Sequence, residues 1–133
     1  VTEEEYKEFG VPYDMKVLDA FKDTTWFNIV HIHGPNTMWK LMADYPANCV
    51  NWHDRWVAPD MAEARKLTDK CLMGGINEKL LSEMTVEEIR THLKEAVECA
   101  GTNRGLILSP GCVAHTNTPA LQFMAARVAA ENL

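Results

Sequence analysis

The sequence predicts a parallel α/β fold, and three observations carry that prediction. Short β-branched or aromatic runs alternate with helical stretches four times over. Each such run stops at glycine, proline or a polar turn residue, and no low-complexity segment or hinge interrupts the alternation. Strands that alternate with helices pair in parallel through right-handed crossovers. At 133 residues, 47% hydrophobic and 24% charged, the chain is an ordinary globular mixture and suits one domain, residues 1–133.

Thr2, Glu3, Glu4 and Glu5 form a capping box, in which a threonine hydroxyl and a glutamate three residues on satisfy free amides. The helix they open is expected to reach Phe21, with an interruption near Gly10 and Pro12. Trp26 through His33 reads as a buried strand that ends at Gly34 and Pro35. Asn36 or Thr37 is expected to cap a short helix through Asp44, before a strand over Cys49, Val50, Asn51 and Trp52. Pro59 and Asp60 lead a helix through Leu67. Cys71, Leu72 and Met73 then form a strand, with Gly74 to Asn77 as its glycine turn.

Thr85 to Glu88 is a second capping box. It starts a helix whose Val86, Ile89, Leu93, Val97 and Ala100 share one face until Gly101 stops it. Gly105 to Ser109 is the last strand, Pro110, Gly111 and Cys112 its exit, and Thr118 and Pro119 the expected N-cap and first turn of a closing helix to Asn132. A helix followed by four strand–helix units fits a doubly wound sheet or half of a (β/α)8 barrel, whose complete form takes about 250 residues.

Composition removes several function classes. The net charge is −6 and the thirteen Lys and Arg are scattered, so no basic stripe tracks a nucleic-acid backbone. No apolar run approaches the roughly 18 residues that span a bilayer. With that and an opening at Thr2-Glu3-Glu4-Glu5 unlike a signal peptide, a cytoplasmic setting is expected. The four cysteines contain no CxxC pair, so neither a zinc ribbon nor a disulfide framework is indicated. The start at Val1, leading directly into a helix, is the pattern of a fragment or a processed product.

Parallel α/β folds place their working residues at the carboxyl ends of the strands. Those ends carry His31 and His33, then Asn51 with His53 and Asp54, then Gly74, Gly75 and Asn77, then Cys112 with His115. Two residues apart on a strand, His31 and His33 point to the same face. With a thiolate such as Cys112 they suit a borderline metal such as zinc and leave an open position. The same spacing also suits one interior hydrogen-bonded histidine beside one that binds an anionic group. His53 and Asp54 read as an acid–base or substrate-orienting pair, or as residues that fix a loop. Asn51, Gly75, Asn77 and His115 are candidate cofactor contacts on the same rim. Cys49, Cys71 and Cys99 read as small buried hydrophobes, and His92 as a solvated residue. Trp39, Trp52 and Trp56 suit the core or the wall of a flat pocket. Gly74 and Gly75 lack the GxGxxG context of a nucleotide loop.

Three stretches together carry a family resemblance: His31 to Gly34, Leu72 to Asn77, and Gly105 to Cys112 followed by Thr118 and Pro119. They resemble, in order and over nearly the whole chain, the C-terminal half of the uroporphyrinogen decarboxylase superfamily. The resemblance implies the C-terminal half of a TIM (β/α)8 barrel. It also implies one of two activities, that of the haem-pathway decarboxylase or that of the corrinoid:coenzyme M methyltransferases. In the methyltransferase branch a His-x-Cys-Gly strand end and a distant Gly-Cys supply zinc ligands. His31 matches the first and Cys112 the last, while His33 stands where that branch has cysteine. The implied chemistry is a zinc-activated substrate thiolate that takes a methyl group from a corrinoid, which a separate corrinoid protein could carry.

The decarboxylase branch implies a tetrapyrrole substrate and no metal or organic cofactor. Its arginine-rich N-terminal motif has no counterpart here, and its late histidine would align near Cys112. A third reading is a non-catalytic corrinoid- or protein-binding module. Half a barrel leaves strand edges and an inner face uncovered, so a homodimer or higher assembly and poor activity of the isolated chain are expected.

Overall fold

Helix α1 (Glu3–Phe9) begins at the Thr2 capping box: the Glu5 N–H donates to Thr2 Oγ1, and the Thr2 N–H donates to Glu5. The expected interruption lies at Gly10, which ends α1 and caps α2 (Val11–Phe21), with Pro12 in the first turn where its missing N–H costs nothing. The Tyr6 and Tyr45 hydroxyls both donate to Asp14 Oδ2, at 2.6 and 2.7 Å, and tie this helical pair to the segment before the second strand.

The computed structural model describes all of residues 1–133 and contains one four-stranded parallel sheet in the order β1-β2-β3-β4. The strands are β1 (Ile29–Ile32), β2 (Cys49–Trp52), β3 (Cys71–Ile76) and β4 (Leu106–Pro110). Between and after them lie α3 (Trp39–Met42), α4 (Met61–Leu67), α5 (Val86–Ala100) and α6 (Ala120–Ala130). Sequential order across the sheet is that of consecutive units of a (β/α)8 barrel, not the reversal that defines a doubly wound sheet.

Strand alternation divides the sheet's two faces. Ile32, Val50, Trp52 and Leu72 pack against Trp39, Ala43, Met61, Ala64 and Ala100 in one core cluster. Ile76, Leu81, Ile89 and Leu93 join Ala125 and Ala129 in a second, beneath α5 and α6. The opposite face is the concave inside of the partial barrel. There Ile29 is 48% and Ile107 37% exposed, and the histidines cluster at its carboxyl rim.

Several sequence expectations are corrected. The first strand begins only at Ile29, and Trp26 is exposed. Neither Asn36 nor Thr37 caps α3: Met38, in the left-handed region at φ 43°, is its N-cap, and the Thr37 hydroxyl donates to the Ala58 carbonyl instead. Gly74 and Gly75 are not a turn but part of β3, which runs to Ile76. On α5 the buried face is Ile89, Leu93, Ala96 and Ala100, which recur at helical spacing, with Val86 exposed and Val97 half-buried. Thr118 does not cap α6, whose N-cap is Pro119, and that helix ends at Ala130. Trp39 and Trp52 are core, in edge-on contact at 5.3 Å between ring centroids. Cys49 is fully buried, while Cys71 and Cys99 are only half-buried.

Candidate metal centre

The carboxyl ends of β1, β2 and β4 converge. His31 lies within β1 and His33 just after it, His53 just after β2, and Cys112 two residues after β4. One donor atom from each lies within 4.8 Å of every other. Ring centroids are 5.9 Å apart for His31 and His33, 5.9 Å for His31 and His53, and 5.0 Å for His33 and His53. His33 Nδ1 is 3.6 Å from Cys112 Sγ.

The surrounding hydrogen bonds fix which ring nitrogens of His31 and His53 remain free to bind. Asn51, paired directly with His31 across β1 and β2, donates through Nδ2 to the carbonyls of Met73 at 2.9 Å and Pro110 at 3.3 Å. Its Oδ1 is thereby left to accept from His31 Nδ1 at 2.6 Å. His31 then carries its proton on Nδ1 and offers the Nε2 lone pair. His53 is oriented in the same way: its Nδ1–H donates to Glu78 Oε1 at 2.7 Å. Both side chains are almost wholly buried, and His53 Nε2 has no hydrogen-bond partner. Imidazoles backed by an amide or a carboxylate are the usual second layer of a metal site.

The donor set fits a zinc-like ion. Tetrahedral zinc separates its nitrogen and sulfur donors by roughly 3.3–3.8 Å, so side-chain adjustments of about 1 Å would close this cluster around one ion. Three neutral imidazoles and one thiolate are borderline-soft ligands, and the orphaned His53 Nε2 is a buried lone pair without another use.

The uroporphyrinogen decarboxylase (URO-D) family model matches residues 1–132. The chain belongs to the uroporphyrinogen decarboxylase family. The structure is also similar to that of a methyltransferase from Methanosarcina mazei, with a TM-score of 0.78 at 20% sequence identity. The match covers 99% of this chain and 38% of that one, and at this identity it shows a shared fold, a partial TIM barrel. No curated protein matches the chain. No helix is long and apolar enough to cross a membrane.

In this member of the uroporphyrinogen decarboxylase family the expected pair His53 and Asp54 is split. His53 turns to the cluster, whereas both oxygens of Asp54 accept from the Gly75 N–H, at 3.1 and 3.0 Å. Burial pushes the Asp54 carboxyl up to about 7. Of the expected cofactor contacts, Asn51 is spent on His31 and two carbonyls. Gly75 gives its N–H to Asp54, and a Cβ there would point at Ala96 rather than at the rim. Asn77 Oδ1 accepts from the Lys79 N–H in a turn, and His115 is exposed outside the cluster.

His92 is half-buried and hydrogen-bonded rather than free in solvent. The Asn77 N–H donates to its Nε2 at 3.0 Å, and the Arg55 guanidinium stands 2.9 Å from Nδ1. Desolvation and that positive charge, opposed by Glu95, lower its pKa to about 4.

Sequence reasoning missed Glu78. It follows β3 by two residues, accepts from Trp56 Nε1 at 2.8 Å as well as from His53, and is 4% exposed. A lone glutamate in a polar turn, Asn77-Glu78-Lys79, gives no periodic signal of burial. Gly111 is a second such residue: a Cβ there would sit 2.6 Å from the Trp52 carbonyl oxygen and 3.2 Å from Glu78 Oε2. Only glycine lets the exit of β4 cross the ends of β2 and β3 and deliver Cys112.

Proposed function

We propose that the chain is part of a zinc-dependent, corrinoid-linked methyltransferase in which His31, His33 and Cys112 hold the metal. The convergence of imidazole and thiol donors on one strand-end rim carries this reading. Zinc, when bound, supplies Lewis acidity that lowers the pKa of a substrate thiol.

The chain's own residues do the rest. Asn51 locks His31 in the tautomer that presents Nε2, and Gly111 seats Cys112 beside His33. A histidine at position 33, in place of the branch's cysteine, removes one negative charge and makes the centre a stronger Lewis acid. The methyl donor, a corrinoid carried by a partner protein, and the thiol acceptor would meet over this rim. A cytoplasmic setting, where thiols stay reduced, suits a centre that depends on Cys112. A second copy of the chain is the proposed cover for the exposed inner face.

The alternative, a decarboxylase-like lyase acting on a tetrapyrrole, has the family's description in its favour. It gives the clustered donors no task, and Cys112 occupies the region of that branch's late histidine. The test is optical. The chain loaded with Co(II), a visible stand-in for zinc, is mixed with a small alkyl thiol or with the corresponding alcohol. A thiol-specific rise in sulfur-to-cobalt absorption is expected, and a spectrum indifferent to saturating thiol contradicts the methyltransferase reading.

A further inference from the structure

His53 has no assigned role in the three-ligand centre, yet it is the best-anchored donor in the cluster. Its ring is 3% exposed, and Nδ1 is held by Glu78. Glu78 is itself held by Trp56 Nε1, and the Trp56 ring packs 4.4 Å from that of His53. The remaining nitrogen, Nε2, is buried and unpartnered, and His53 brings a ring nitrogen within 4.8 Å of the other three donors. His33 is the opposite case. It lies beyond the end of β1, its side chain is exposed, and its one hydrogen-bond contact is Cys112 Sγ at 3.6 Å.

A donor fixed by a buried carboxylate loses little freedom on binding a metal, whereas a loosely held one both costs more to order and leaves more readily. We infer that His53 is a resident ligand of the centre, positioned for it by Glu78, and that His33 is the exchangeable donor that yields its place to an incoming thiol. The resting centre is then held by His31, His53, Cys112 and His33. The substrate position is created by release of His33 rather than kept open. This assignment rests on the metal reading above but deepens it. It explains how a donor set large enough to close the site still admits a substrate.

The experiment measures the zinc affinity of the full 133-residue chain by competition with a chromophoric chelator, together with the Co(II) spectrum of each variant. His53→Ala is expected to weaken binding at least about tenfold more than His33→Ala. Glu78→Gln, which keeps the shape but not the charge behind Nδ1, is expected to weaken it about 10- to 100-fold. Added imidazole should restore the four-coordinate Co(II) spectrum of His53→Ala, a rescue that a misfolded chain cannot show. If His53→Ala fails to fold, Glu78→Gln decides alone. Parent-like affinity in His53→Ala or Glu78→Gln, with metal still lost in His31→Ala and Cys112→Ala, overturns the assignment and leaves the methyltransferase reading intact. A parent chain that binds no metal overturns both.

Discussion

Among single residues, the most informative side chains are those committed to partners distant in sequence. Asn51 serves His31 and two carbonyls, and Glu78 serves His53 and Trp56. Neither commitment is readable from sequence, because each depends on partners twenty or more residues away. His92 makes the same point and yields a pH prediction. Its folded pKa, lowered to about 4, lies below the 6.5 of a free histidine. The unfolded chain therefore takes up a proton below about 6.5 that the folded chain refuses until about 4. The contribution of His92 is complete above pH 6.5 and is lost as pH falls toward 4. Allowing for its partial exposure, that loss is about 1–2 kcal/mol. His92→Gln, which can still accept from the Asn77 N–H, should reduce the fall in stability between pH 7 and pH 4.5 by that amount. Urea titrations at the two pH values measure it, and an unchanged difference would refute the assignment.

At the scale of elements, the alternation of strands and helices was legible because each leaves a local signature. The Thr2 and Thr85 capping boxes and the Gly101 stop stand where the sequence placed them. The misplaced boundaries have a common cause. Gly74 and Gly75 look like a turn in isolation, yet pairing with Leu108 and Ser109 of β4 extends β3 through them. Gly75 can stay in that strand because its φ of 96° is open to glycine. Asn36 and Thr37 carry capping side chains, but the tertiary bond from Thr37 to Ala58 takes the hydroxyl elsewhere.

The exit of β4 supplies the prediction at this scale. Gly111→Ala forces a methyl against the Trp52 carbonyl, so the loop must shift, and a loss of about 1–3 kcal/mol in stability is expected. Zinc affinity should fall with it, since Cys112 moves too. Thermal unfolding and a chelator titration read the two effects, and a variant with parent stability and parent affinity would show that the crossing is not tight.

At the scale of the whole molecule, the fold class followed from unit counting and the family resemblance, while the site followed only in part. The rim was legible because parallel strands must end on one side. What was not legible is the division of labour on it, since His53 and Asp54 are neighbours in sequence but face different partners. The open arrangement of the sheet has its own consequence. Strands β1 and β4 are both edges, and Ile29 and Ile107 lie exposed on the concave face. Exposed edges and apolar patches favour self-association. Sedimentation equilibrium should show a concentration-dependent dimer or larger species, and a strict monomer at high concentration would contradict this.

Elemental analysis of the purified chain beside its His31→Ala and Cys112→Ala variants decides whether the strand-end cluster is a metal centre. About one zinc per chain is expected in the parent, reduced severalfold or more in each variant. A parent chain that stays free of zinc after reconstitution, or variants that retain it fully, would rule out a metal centre on these ligands.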